Sequence, residues 1–200
     1  MGVTIHYRGT MDEPERIPDM QRELADIAQS MGWEHSLLDD DWTVPPTASL
    51  AHEQGSATIK GHLGLKGISL MPSGGEALSF FVDADGRLCS IMGMILRCEG
   101  QTTPDNSWVS MKTQFLSPDI HVWVVGLLKY LKERRFSNLE VHDEGGFWET
   151  GDRAALEANM RLLNEKMDEL AADLTAKSFG DLSGLSAEEI ASRIEDFLKK

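Results

Sequence analysis

The sequence predicts an α+β fold in which a predominantly antiparallel sheet of about six to eight strands carries helices packed on one face. Short β-rich runs broken by turn residues fill 57–116, which is typical of antiparallel strands. With 200 residues, 41% of them hydrophobic, the chain can bury a substantial core. Three longer segments carry apolar residues at helical spacing: 18–31, 118–135 and 152–174. We expect one domain over 1–174, followed by a linker and an amphipathic helix over 175–200.

The first quarter of the sequence predicts a strand, a helix and a second strand. Residues 3–7 alternate between apolar and polar, as a strand with one buried face does. Residues 17–31 carry apolar side chains at three- and four-residue steps, and Gly32 supplies a helix stop signal. A short strand over 33–38 runs into an acidic cluster. The prolines and glycine that follow Trp42 indicate a long loop.

The middle of the sequence predicts an antiparallel meander. Two pieces, at 59–65 and 68–71, are separated by a glycine. The clearest hairpin joins 78–82 to 88–95 across an Asp-Ala-Asp-Gly turn, because Asp-Gly accepts the positive φ angles of tight turns. A polar loop separates this hairpin from the last meander strand, over 108–116.

The last part of the sequence is mainly helical. A Ser-Pro start signal opens the helix over 118–135, which is apolar almost all round for two turns and should be buried. Residues 138–142 predict one more strand. The helix over 152–174 carries a heptad-like seam that packs on the sheet, takes up the terminal helix or joins two copies of the chain. A capping-box pattern starts the terminal helix, so 152–174 and 186–199 are the candidate homo-oligomer interfaces.

Two stretches of the chain, 19–42 and 118–148, share an order of features. Each has a helix, a short connection, a glutamate, a short apolar strand, an acidic cluster and a tryptophan. This order predicts a weak internal pseudo-repeat, which would place the two acidic-aromatic loops at equivalent ends of their strands. The alternative is a chance recurrence, since helix–strand units are common.

Composition excludes several classes of protein. Thirty-three acidic and 19 basic residues give a formal charge of −14, which opposes binding to the phosphates of nucleic acids. No apolar run reaches the roughly 18 residues of a membrane span. Two cysteines without zinc spacing fit a reducing compartment, so we expect a cytoplasmic protein.

The acidic-aromatic loops are the best candidate site, because no phosphate loop, nucleophile elbow, zinc helix or dinucleotide fingerprint occurs. Clustered carboxylates raise one another's pKa unless a cation or a hydrogen-bond donor neutralises them. His6 could approach His142 and complete a mixed imidazole–carboxylate site. The alternative is a pair of solvated acidic loops. The candidate ligand-binding residues are Asp39, Asp40, Asp41, Trp42, His142, Asp143, Glu144 and Trp148, and the candidate divalent-metal ligands among them are Asp40, His142, Asp143 and Glu144.

Two functional hypotheses follow from these residues. The first is a non-enzymatic binding or protein-interaction module whose ligand is a protein or a small molecule. The second is a divalent-metal-dependent hydrolase that uses the loops at 39–42 and 142–149, with a bound ion supplying hydroxide near neutral pH. Trp42 and Trp148 could stack on a sugar or cap a cation, although a tryptophan at a strand end also plugs a core edge. Whether the chain is an enzyme stays open at this point.

Overall fold

A computed structural model of the chain describes residues 3–53, 56–104 and 108–176. It confirms the α+β class, with 40% helix, 26% strand and antiparallel strand pairing. The chain divides into two compact units, Met1–Met160 and Arg161–Lys200. The expected terminal helix over 186–199 lies outside the described residues, so the domain boundary after 174 stays a prediction. None of the helices in the described ranges is both long and apolar enough to cross a bilayer.

The described residues form eight strands and five α-helices. In chain order these are β1 (Thr4–Arg8), α1 (Ile17–Met31), β2 (Glu34–Asp39), β3 (Ser49–Glu53), β4 (Ser56–Lys60), β5 (Lys66–Met71), β6 (Leu78–Val82), α2 (Ile91–Cys98), β7 (Val109–Lys112), α3 (Pro118–Arg134), β8 (Glu140–Asp143), α4 (Phe147–Thr150) and α5 (Arg153–Ala176). A single 3-10 turn, Pro14–Arg16, precedes α1.

The strands are divided among three antiparallel sheets. The first sheet has the order β7-β1-β8, the second has the order β2-β5-β6, and β3 pairs with β4 in a separate hairpin. Side chains join the first two sheets: the backbone N–H of Lys112 donates to Glu76 Oε2 (2.9 Å), and the hydroxyl of Tyr7 donates to the carbonyl of Ser79 (2.7 Å). The strand number therefore fits the expected range, but the strands do not form one continuous ladder.

The main core lies between helices α1 and α3 and the inner faces of the two three-stranded sheets. Ile5 and Tyr7 point into this core from β1, as the alternation of residues 3–7 predicts. Trp33 and Trp123 meet edge to face, with ring centroids 4.6 Å apart. Burying one large apolar side chain contributes about 1.5–3 kcal/mol, so these contacts hold helices and sheets together.

The strand predicted over 88–95 is wrong, because most of this segment forms helix α2. The Asp-Gly turn before it does form, with Gly86 at a positive φ of 76°, but its second arm is reduced to one bridge between Val82 and Leu88. Ser90 then caps α2 by accepting a hydrogen bond from the N–H of Gly93 (3.0 Å). The helix covers the outer face of the second sheet, over a small cluster of buried residues: Leu65, Phe81, Cys89 and Met94.

Gly67 is required where β5 meets β6. Its φ is 139°, and a Cβ built on it would lie 2.0 Å from the carbonyl oxygen of Phe80. The glycine that separates the two predicted strand pieces is therefore part of β5 rather than a break. The residues before it, 61–65, are not in a strand, because β4 ends at Lys60.

In both stretches of the predicted pseudo-repeat, a helix is followed by a strand at the edge of a sheet. Helix α1 leads into β2 and helix α3 leads into β8, and within the described ranges each of these strands pairs on one side only. The acidic residues that follow the two strands have different surroundings, as described next.

Candidate functional site

The loop that follows β8 lies at the beginning of β1. Ile5 pairs with Asp143 in the register of the two strands, and the N–H of Glu144 donates to the carbonyl of Thr4 (3.0 Å). The acidic residues of this loop are therefore fixed against the first residues of the central strand.

The loop that follows β2 lies toward the other end of β1. Trp42 lines a surface cleft together with Arg87, and the next residue, Leu88, donates its N–H to the carbonyl of Gly9 (2.9 Å). Gly9 is five residues from Thr4, which is about 16 Å along a strand. The structure thus does not bring Asp40 to the acidic loop after β8. In the described parts of the chain, no three His, Cys, Asp or Glu side chains are gathered closely enough to hold a metal ion.

Each carboxylate of the first loop has a partner within the loop region. Asp39 pairs with Lys66 (2.7 Å), and Asp40 accepts a backbone N–H at 3.2 Å. Asp41 accepts from both the hydroxyl (2.7 Å) and the N–H (2.8 Å) of Thr43, and these hydrogen bonds lower the pKa of its carboxyl. These local contacts satisfy the three carboxylates, so the loop does not need a bound cation.

The two loop tryptophans already carry cations from the same chain. The ammonium of Lys66 lies 5.3 Å from the ring centroid of Trp42. Those of Lys129 and Lys132 lie 5.4 and 5.9 Å from the ring of Trp148. The cations on these rings therefore come from the same chain, and both rings also pack, half-buried, against the main core, as a tryptophan at a strand end does.

Asp143 faces the interior and not the solvent. Its buried carboxylate accepts hydrogen bonds from His121 Nε2 (3.0 Å) and from the backbone N–H groups of Gly145 (2.7 Å) and Trp148 (2.9 Å). Burial alone raises the pKa of Asp143, but these hydrogen bonds outweigh it and the pKa is lowered. The other ring nitrogen of His121 bonds to the hydroxyl of Thr113 (2.8 Å), so this network braces the interior.

The neighbours of Asp143 face the opposite way, because successive side chains of a strand alternate between faces. His142 and Glu144 are exposed on the outer face of the first sheet, which bears none of the main core. Nine side chains lie there in three rows, seven placed by the register of β7, β1 and β8, and Trp108 and Glu144 placed by their contacts with Arg8 and Thr4: Trp108, Arg8 and Glu140; Ser110, His6 and His142; Lys112, Thr4 and Glu144. We call these nine residues the open face.

His6 is the centre of the open face. Its Nδ1 lies 2.8 Å from Ser110 Oγ, its Nε2 lies 3.7 Å from Glu144 Oε1, and its ring stacks on that of His142 with centroids 5.9 Å apart. The second oxygen of Glu144 accepts the N–H of Thr4 (2.9 Å). The structure therefore places His6 next to His142, as the sequence suggested, with Glu144 as the neighbouring carboxylate.

A cleft of about 440 Å³ opens beside the first loop, between that loop, the turn after β6 and helix α2. Its polar floor is the ion pair of Asp83 and Arg97 (2.6 Å), whose side chains are each only 10% exposed. We call it the Trp42–Arg97 cleft. The residues that line it are Trp42, Thr43, Val44, Pro45, Pro46, Gly64, Asp83, Ala84, Asp85, Arg87, Met94, Arg97, Cys98 and Pro104.

Sequence reasoning assigned Asp83 to a turn and missed its pairing with Arg97. Asp83 does hold the turn, since its Oδ1 accepts the N–H groups of Asp85 (3.0 Å) and Arg87 (2.9 Å). Its Oδ2 binds Arg97, a partner 14 residues away on a helix that the sequence did not predict. The sequence signal that could have indicated this ion pair is Arg97 itself, the basic residue that follows the apolar run of α2.

The two cysteines differ sharply. Cys89 is buried, and burial raises the pKa of its thiol to about 11, whereas Cys98 is exposed and lines the cleft. Cys98 is therefore the thiol that reports on this surface.

Comparison with known proteins adds no further information on either surface: no protein-family model, no curated protein and no solved structure matches this chain.

Proposed function

We propose that this chain is a non-enzymatic binding module and that the Trp42–Arg97 cleft holds a small organic ligand with an apolar body and a carboxylate group. The observation that carries this proposal is the size and mixed lining of the cleft. Its volume of about 440 Å³ falls in the range of roughly 300–1,000 Å³ that small-molecule sites occupy. Such sites combine apolar walls with a few fixed polar groups.

The apolar wall supports binding because much of it is stiff. Trp42 donates its indole N–H to the carbonyl of Gly64 (3.1 Å), which fixes the ring, and Pro45 and Pro46 have little freedom to lose. Met94, from α2, lies nearly buried beneath the other side of the cleft and has an adaptable side chain. A wall ordered in advance lowers the entropy cost of holding a ligand.

The charged groups of the cleft have distinct roles. Asp83 and Arg97 are nearly buried and paired with each other, so we assign them to the floor. Arg87 pairs with Asp85 at 2.9 Å, but these side chains are 40% and 70% exposed. Exposed ion pairs contribute little, so Arg87 can exchange Asp85 for a ligand carboxylate. Because both oxygens of Asp83 are engaged, we assign the cleft a binding role and no proton-transfer role.

Cys98 allows a direct test with unmodified protein. The probes are benzoate, indole-3-acetate, hexanoate and proline, and the measurement is the rate at which a disulfide reagent modifies Cys98. Cys89 stays silent because its thiol is buried. We expect at least one acid to slow the reaction saturably and to raise the melting temperature. Arg87→Gln should weaken this acid about tenfold, whereas Arg22→Gln, an exposed arginine on α1, should not.

Two results would overturn the proposal. One is that none of the four acids protects Cys98 or stabilises the protein at millimolar concentration. The other is equal protection in the Arg87 and Arg22 variants, which would show that the acids do not use the cleft. A Cys98→Ser variant controls for modification elsewhere in the chain.

Self-association through the seam of α5 is a separate proposal about partners. Leu156 and Met160, the first two seam residues, are buried within the first unit. The part of the seam left for a second copy of the chain begins at Leu163 and continues in sequence to Leu174. The other candidate interface, 186–199, lies outside the described residues.

A further inference from the structure

We propose that His6, His142 and Glu144 on the open face form a binding site for a divalent transition-metal ion of the zinc or nickel type. The site is separate from the Trp42–Arg97 cleft and does not depend on the binding function proposed there. It differs from the metal site expected from sequence, because Asp40 is bonded to the N–H of Leu65 in the other loop and Asp143 faces the interior.

The first argument is the register of the strands. His6 on β1 is directly opposite His142 on β8, and Glu144 follows two residues later on the same face. Directly opposed residues have Cβ atoms about 4.5–5.5 Å apart. Strand β1, which presents His6, is hydrogen-bonded on both sides, and β8, which presents His142, pairs with β1 along its whole length.

The second argument is the orientation of the His6 ring. His6 Nδ1 lies 2.8 Å from Ser110 Oγ, and in the tautomer in which Nδ1 donates to that hydroxyl, the lone pair of Nε2 faces the Glu144 carboxylate at 3.7 Å. A divalent ion between Nε2 and Oε1 would satisfy both acceptors. A hydrogen-bond acceptor on the far nitrogen is also the arrangement that orients histidines in metal sites.

The third argument is distance. Two ligands with bonds of about 2.0–2.1 Å in a tetrahedral site lie about 3.4 Å apart. The observed 3.7 Å between His6 Nε2 and Glu144 Oε1 is close to this value. Glu144 is further held by the N–H of Thr4 at 2.9 Å, so its free oxygen needs little adjustment.

His142 is the ligand that must move. Its ring stacks on that of His6 with an angle of 22° between the planes and 5.9 Å between centroids, which keeps both rings close but not convergent. Its side chain is exposed, so a rotation about its side-chain torsions meets solvent. The proposed site needs this rotation, because no three ligands are gathered in the described ranges.

The cations of the open face are directed away from this site. Arg8 pairs with Glu140 at 2.7 Å and lies over the ring of Trp108, and Lys112 lies over the ring of Phe115. Two imidazoles and one carboxylate favour zinc, nickel or copper over magnesium and calcium, which prefer oxygen ligands.

The test is a calorimetric titration of the chelator-treated full chain at pH 7.4 with Zn²⁺, Ni²⁺ and Mg²⁺ as separate chlorides. We expect one saturable site for Zn²⁺ and Ni²⁺, with Mg²⁺ at least a hundredfold weaker. His6→Asn, His142→Asn and Glu144→Gln should each weaken Zn²⁺ at least tenfold. His52→Asn and His35→Asn, two exposed histidines on other strands, are the matched controls.

A second measurement separates ligation from folding. In NMR spectra, Zn²⁺ should shift the ring resonances of His6 and His142 and leave those of His35 and His52 in place. Ser110→Ala keeps all three ligands and should weaken Zn²⁺ by roughly tenfold, since it removes the group that orients His6. The proposal fails if no saturable Zn²⁺ binding occurs, if Mg²⁺ binds equally well, or if the His52 and His142 variants lose affinity alike.

Discussion

Replacing Asp143 by alanine tests whether this carboxylate braces the interior, as its contacts indicate. The change removes the acceptor of three buried donors, namely His121 Nε2 and the N–H groups of Gly145 and Trp148. A buried donor left without a partner costs about 1–3 kcal/mol, and a hydrogen bond to a charged carboxylate contributes about 1.5–3 kcal/mol. Because the terms overlap, we expect the free energy of unfolding to fall by about 3–5 kcal/mol.

The assay is urea unfolding followed by circular dichroism at pH 7. Asp143→Asn retains an oxygen acceptor and should lose about half as much stability as Asp143→Ala, which keeps the comparison measurable if the alanine variant does not fold. Glu144→Gln, the next residue along but facing solvent, should change the free energy of unfolding by less than about 1 kcal/mol. A loss below about 1 kcal/mol for Asp143→Ala would refute the reasoning.

The pH dependence gives a second check on Asp143. Its folded-state pKa lies below the ordinary value of 3.8, so ionised Asp143 stabilises the folded state above the unfolded pKa. That contribution is lost as the pH falls through the lower, folded-state pKa. The stability difference between wild type and Asp143→Asn should therefore stay constant from pH 8 to 5 and shrink below about pH 4. A difference that vanishes near pH 6 would mean that the pKa is raised.

Three further predictions concern the fold and its association. Gly67→Ala should prevent the second sheet from forming, because the new Cβ meets the carbonyl oxygen of Phe80, and the yield of folded protein by circular dichroism checks this. Ser90→Ala should lower the free energy of unfolding by about 1 kcal/mol through loss of the α2 cap, seen as a lower denaturant midpoint with unchanged slope. Leu163→Glu should convert a self-associated chain to monomer in light scattering, and an unchanged mass of an oligomer would exclude the seam of α5 as its interface.

The sequence predicted the elements whose signals are local. Helix α1 has its apolar period and its left-handed stop at Gly32, and α3 has the Ser-Pro start, so both were placed within a residue or two. Helix α2 was missed because a short apolar run fits a strand as well as a helix. The cap at Ser90 decides between the two, and it was not recognised.

The candidate site depended on pairings that local patterns do not contain. His6 meets His142 because β1 pairs with a strand more than 130 residues later, and one sequence does not specify that register. Because successive side chains of a strand point to opposite faces, Asp143 points inward to His121, while Glu144 points outward to His6. The acidic loop therefore places Glu144, a ligand of the metal site we propose, next to Asp143, which faces the interior.

The central position of β1 also sets the timing of assembly during synthesis. Both of its partners, β7 and β8, come from the second half of the chain. At about 5–20 residues per second, a ribosome needs roughly 7–27 s to add the residues between β1 and the end of β8. Until β7 has been made, Ile5 and Tyr7 have no sheet to join and both edges of β1 can pair with other nascent chains; from then until β8 is complete, one edge stays open. A holding chaperone that binds β1 would protect the strand on which the first sheet is built.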